Sequence, residues 1–93
     1  MSDRTLEELR KEIDEIDHQI VDAFRHRMAL SAEIAEYKKE NGLPILDVDR
    51  EKAKLEAIAK SEDDDMSAFA SKLYLTLADL SKDYQQKVLE ENV

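Results

Sequence analysis

The sequence predicts an all-α protein of three helices, one very long, that pairs with a second copy. Three observations predict it. One glycine and one proline in 93 residues leave little room for hairpins or sheets. Charged residues make up 40% of the chain and aromatics 5%, a composition suited to long helices. Apolar residues also recur at spacings of three and four from Leu6 to Tyr37.

That seam reads Leu6, Leu9, Ile13, Ile16, Ile20, Ala23, Arg27, Leu30, Ile34, Tyr37, an unbroken heptad pattern. Thr5 followed by Glu8 forms a capping box at its start. Asn41-Gly42 gives a left-handed stop, with Pro44 just beyond. The spacing predicts a helix over about residues 5–40, roughly 54 Å long at about 1.5 Å per residue. The residues that follow cannot cover such a rod, so it asks for a partner, most simply an antiparallel second copy. A domain of this size is only marginally stable alone, and association supplies further core.

Residues 41–47 read as a loop. A short helix is expected over about 49–60, with Asp47 or Asp49 as N-cap and Val48, Leu55 and Ile58 as apolar contacts. Ser61-Glu62-Asp63-Asp64-Asp65 is an acidic turn whose carboxylates suit a helix start. The third helix, about 66–90, carries Phe69, Leu73, Leu77, Leu80, Tyr84 and Val88 at helical spacing. No repeat or low-complexity linker interrupts residues 1–93, which read as a single domain.

Charge narrows the function. A net charge of −9, from 23 acids against 14 bases, repels nucleic acid and anionic lipid surfaces. Neither is an expected partner. A small anionic ligand would need a local cluster of cations. Cysteine is absent, so disulfides and thiolate chemistry are excluded. The Met-Ser-Asp-Arg-Thr-Leu-Glu-Glu start lacks the apolar core of a signal peptide, and no apolar run suits a membrane span. A soluble, cytoplasmic protein is expected.

Several side chains are candidates for chemistry. Arg27 occupies a seam position that the heptad assigns to an apolar residue. A buried guanidinium is costly unless paired, and an anionic ligand would supply the partner. Lys38 follows 11 residues later on about the same face, where it could help grip a small molecule. Lys39 should face outward. Arg10 is roughly 25 Å from Arg27 along a straight helix, so only an antiparallel second copy could deliver it to the same pocket. Asp47-Val48-Asp49-Arg50-Glu51 sets both charge signs at a helix start, where backbone N–H groups also donate well. Ser81 and Gln85, four apart, share a face beside the apolar stripe. Taken singly, each has an ordinary structural explanation: capping, snorkelling or a solvated flank. His18 and His26 lack a third metal ligand, and there is neither a Gly-rich phosphate loop nor a nucleophile–base pair. No metal and no cofactor are expected.

Together the elements Leu9-Arg10-x-x-Ile13-Asp14-x-x-Asp17, Arg25-His26-Arg27, Tyr37-Lys38, Pro44-Ile45-x-Asp47-x-x-Arg50-Glu51 and Ser81-x-x-x-Gln85 resemble the helical chorismate mutases. That family includes the bacterial domain fused to prephenate dehydratase. The resemblance spans about residues 6–88 and rests on order and spacing jointly. It implies an intertwined homodimer with two equivalent sites that converts chorismate to prephenate by a Claisen rearrangement, toward phenylalanine and tyrosine. By the same resemblance, Arg27 and the second copy's Arg10 bind the two substrate carboxylates. Lys38 and Gln85 donate to the ether oxygen. Glu51, with the backbone at Asp47, holds the ring hydroxyl. Ser81 touches the ring carboxylate, and Arg50 orders the acidic residues around it. The catalytic set is thus Lys38, Gln85 and Arg27. No dehydratase or amino-acid-sensing domain is expected, nor feedback inhibition by these residues.

Two alternatives remain in view. An isochorismate-pyruvate lyase would share the fold and an arginine-rich pocket, but Asp47-x-x-Arg50-Glu51 matches the lyases poorly. A catalytically silent helical interaction module would explain the seam but not the arginine set within it. The join between second and third helices is a little shorter than in the bacterial domain fused to prephenate dehydratase, which bears on where Ser81 and Gln85 fall.

Overall fold

The computed structural model describes residues 3–91. Their elements are α1 (Leu6–Glu40), α2 (Val48–Ser61) and α3 (Asp64–Glu91), with no strand among the described residues. The fold is all-α, as the sparse glycine and proline predict. Each boundary falls within two residues of the expected position, and side-chain caps set the three helix starts. The chain divides into two compact units between Leu30 and Ser31.

The first unit is the leading part of α1. The capping box forms in both directions: Glu8 N–H donates to Thr5 Oγ1 at 3.2 Å, and Thr5 N–H donates to Glu8 Oε2 at 3.4 Å. Arg4 pairs with Glu12 just beyond. Leu6, Leu9, Ile13, Ile16, Ile20 and Leu30 of the seam all stand exposed. Six aliphatic side chains in register along one stripe form a contact face.

The second unit holds the end of α1 with α2 and α3. Gly42 ends α1 at φ 65°, the left-handed conformation that only glycine adopts without a Cβ penalty. Leu43 N–H reaches Lys38 O at 2.8 Å and Gly42 N–H reaches Lys39 O at 3.3 Å, the paired bonds of a Schellman cap. Asp47 is the N-cap of α2, accepting from Arg50 N–H at 3.0 Å. At the next turn Asp63 caps α3, accepting from Met66 N–H at 2.9 Å. Ser67 Oγ donates back to Ala59 O at 2.9 Å, satisfying a carbonyl that the end of α2 leaves open.

α2 packs along α3. The buried face of α3 is Tyr74, Ala78 and Gln85, and Ala35 is buried on α1. Leu55, Ile58, Leu77, Tyr84 and Val88 are half-buried, as expected of apolar contacts. Val48, Phe69, Leu73 and Leu80 are not: they stand exposed. The apolar residues of α3 cover more than one stripe, and α2 is too short to shield them all. Among the described residues no large side chain is fully buried. Nor, among them, is any helix long and apolar enough to cross a membrane.

Candidate active site

The second unit holds six of the candidate residues, linked by hydrogen bonds, one ion pair and short stretches of chain. Lys38 is half-buried near the end of α1, and its Nζ donates to Ile45 O at 2.7 Å. That bond ties the helix end to the loop leading into Asp47. An ammonium has three donors, so two remain for a ligand or water. Lys39, one position on, is exposed, as the helical register requires.

From Asp47 the contacts pass into the first turn of α2. Asp47 Oδ1 accepts the Arg50 N–H, and Asp47 O accepts the Glu51 N–H at 3.1 Å. Arg50 stands exposed on that turn, while Glu51 is half-buried. Glu51 Oε1 lies 3.1 Å from Lys82 Nζ, which joins α2 to α3. Asp79 Oδ1 stands 3.5 Å from the same ammonium. The hydrogen bond that Lys82 donates to Glu51 chiefly raises the Lys82 pKa above the usual lysine value; partial desolvation opposes it, and Asp79 adds to the rise.

Ser81, adjacent to Lys82, begins the buried part of the site. Its Oγ lies 2.7 Å from Ser31 Oγ on α1 and accepts from Gln85 Nε2 at 3.1 Å. Ser31 is 3% exposed and Gln85 is 5% exposed, so the polar chain lies inside the fold. Gln85 Oε1 is buried without a hydrogen-bond partner. Leaving such an oxygen unsatisfied costs about 1–3 kcal/mol.

Arg10 and Arg27 belong to the first unit. Arg10 is exposed, flanked by the carboxylates of Glu7 and Asp14 in a shallow recess on its own helix surface. Arg27 is half-buried and engaged within the protein.

Sequence reasoning missed two contributors, Ser31 and Lys82. Ser31 has a faint signature: with Ala35 it sets small residues four apart on α1, where another element can approach closely. Lys82 has none, since its partner Glu51 lies 31 positions away.

The arrangement defines a class. Neutral amide and hydroxyl groups, an ammonium and a held carboxylate stand on the three helices of one unit, a set of groups that suits binding and polarising a small polar organic molecule. Residues 9–86 match the type II chorismate mutase family, and the chain belongs to that family. It is 36% identical over 88 residues to a chorismate mutase of Methanocaldococcus jannaschii, covering 92% of this chain and 89% of that protein. It is also 38% identical over 52 residues to the T-protein of Haemophilus influenzae, covering 56% of this chain but only 14% of that protein. No solved structure matches.

Proposed function

We propose that this chain is a chorismate mutase that works as a homodimer, rearranging chorismate to prephenate in two equivalent sites. The family match over residues 9–86 carries the activity. The reaction is intramolecular: the ether C–O bond breaks as a C–C bond forms, and no atom enters or leaves. Such a reaction needs neither a nucleophile nor a net proton transfer. It needs a compact chair-like conformer and charge complementarity at the ether oxygen, which gains negative charge as its bond breaks.

The residues fit those needs. Lys38 keeps two ammonium donors beyond its bond to Ile45 O, and Gln85 supplies a buried amide. Both serve the ether oxygen. Arg27 and the second copy's Arg10 take the two carboxylates. Glu51, fixed by Lys82, takes the ring hydroxyl with help from the backbone at Asp47. Ser81 touches the ring carboxylate, and Arg50 orders the acidic residues nearby.

The exposed stripe from Leu6 through Ile20 supports a homodimer: antiparallel pairing would bury it and bring each Arg10 toward the other copy's site. A charged-residue content of 40% accords with a soluble cytoplasmic enzyme, which is part of the same reading.

Incubation of the purified protein with chorismate, followed by loss of the ultraviolet absorbance of the substrate, tests the proposal. Stoichiometric prephenate is the expected product. Pyruvate release would mark a lyase instead, and unchanged absorbance would mark a binding module.

A further inference from the structure

We propose that Ser31 is a positioning residue, which orients the Gln85 amide through Ser81. This rests on the mutase reading above. The hydroxyls of Ser31 and Ser81 lie 2.7 Å apart, and either can be the donor. Gln85 Nε2 donates to Ser81 Oγ at 3.1 Å. With that direction of bonding, Ser81 passes its own proton toward Ser31, and Gln85 Oε1 is left buried and unsatisfied.

The two-hydroxyl chain can run the other way. If the carboxamide turns over, Ser81 donates to Gln85 Oε1 and accepts from Ser31. The open oxygen gains its partner, and both N–H groups of Nε2 occupy the position that Oε1 held. A ligand oxygen that gains negative charge favours this second arrangement, because only it offers donors there. Hydrogen bonds in a chain polarise one another inside a protein. Donation from Ser31 to Ser81 therefore strengthens donation from Ser81 to Oε1, and with it the donor strength of Nε2. The gain is largest where the ligand charge is largest, in the transition state. Ser31 is 3% exposed, so water cannot replace its hydroxyl without disturbing the packing around it.

Ser31→Ala deletes the Ser31 hydroxyl from this chain. A neutral hydrogen bond is worth about two- to tenfold in an equilibrium, and a loss of that size is expected in kcat, with KM changing less than twofold. In a Ser81→Ala background the same substitution should have no further effect on kcat, because the link to Gln85 is already cut. Ser31→Cys, which retains a weak donor at similar volume, should fall between wild type and Ser31→Ala.

A second measurement does not depend on turnover. The Gln85 side-chain amide protons, assigned by their loss in Gln85→Ala, should shift and exchange faster in Ser31→Ala while the circular dichroism of the fold is unchanged. Additive kcat losses in the two serine variants, or an unmoved Gln85 amide, overturn the proposal. A wild-type protein that leaves chorismate untouched fails the mutase reading, and the amide resonances then decide the positioning role separately.

Discussion

Lys82 Nζ on α3 lies 3.1 Å from Glu51 Oε1 on α2, so one ion pair both joins two helices and fixes the carboxylate proposed to hold the substrate hydroxyl. The side chains are 29% and 30% exposed, which leaves the pair partly screened by water. Its contribution to stability is therefore modest. Its contribution to geometry is larger, because a carboxylate held on one side has fewer orientations to lose when a ligand binds.

The pair also makes stability depend on pH in a definite direction. Glu51 raises the pKa of Lys82 above the usual lysine value. A lysine with a higher pKa folded than unfolded contributes stability that is complete below the unfolded pKa and is lost as pH rises through the folded one. The Tm of the wild type should thus fall more steeply than that of Lys82→Met as pH climbs through the lysine range. Near neutral pH the difference between the two should be flat. Parallel curves in that alkaline range would show that the pair does not persist in solution.

Lys38 combines two jobs, a bond to Ile45 O and a reach toward the ligand. Loss of one donor aimed at developing charge in a closed site costs roughly 3–4 kcal/mol. Lys38→Ala is expected to lower kcat/KM by about a hundredfold or more. It should also speed amide exchange in residues 43–47, since the bond that ties this loop to α1 is gone. Near-wild-type turnover would remove Lys38 from the catalytic set, and slow exchange in the loop would show that Ile45 O does not need it.

Asp47 acts at the helix start and, by proposal, at the ligand. Asp47→Ala removes the acceptor for Arg50 N–H and should cost about 1 kcal/mol of stability. Asp47→Asn keeps a capping oxygen and should cost a few tenths. Because the proposed ligand contact uses the backbone at Asp47, both variants should retain substrate affinity within severalfold once folded. Chemical denaturation and KM, measured on the same samples, separate the two roles.

The ends of the helices were legible in the sequence because their causes are local. Thr5 and Glu8 are three apart, and Gly42 needs only its own backbone freedom to close α1. Asp47 was one of two candidate caps, and its own carboxylate decides the choice. Lys38 and Lys39 separate by helical register alone. Ser31 and Lys82 were not legible, because each matters through a residue far along the chain: Ser31 through Ser81, 50 positions on, and Lys82 through Glu51. The exposure of Phe69, Leu73 and Leu80 was hidden for a different reason. Periodicity marks a face as apolar but does not say whether that face meets its own chain or another.

The exposed seam makes the oligomeric state testable with the shared site. Ile13 and Ile16 stand open along the first unit, and a charge placed there would have to be desolvated on pairing. Sedimentation should give a dimer for the wild type and a shift toward monomer for Ile16→Glu, with loss of turnover in the same sample. Arg10→Ala and Arg27→Ala should each be nearly inactive alone as homodimers. When the two are unfolded together and refolded, half of the dimers should be mixed. In a mixed dimer one site has lost both arginines and the other has kept both, so turnover should recover to about a quarter of wild type. This expectation follows only if Arg10 serves the site across the interface. If both arginines served one site from the same chain, every site in the mixture would lack one of them. Persistent inactivity, with mixed dimers demonstrated by mass, would therefore place Arg10 in its own copy's site, whereas an active Arg10→Ala homodimer would place it outside the site altogether.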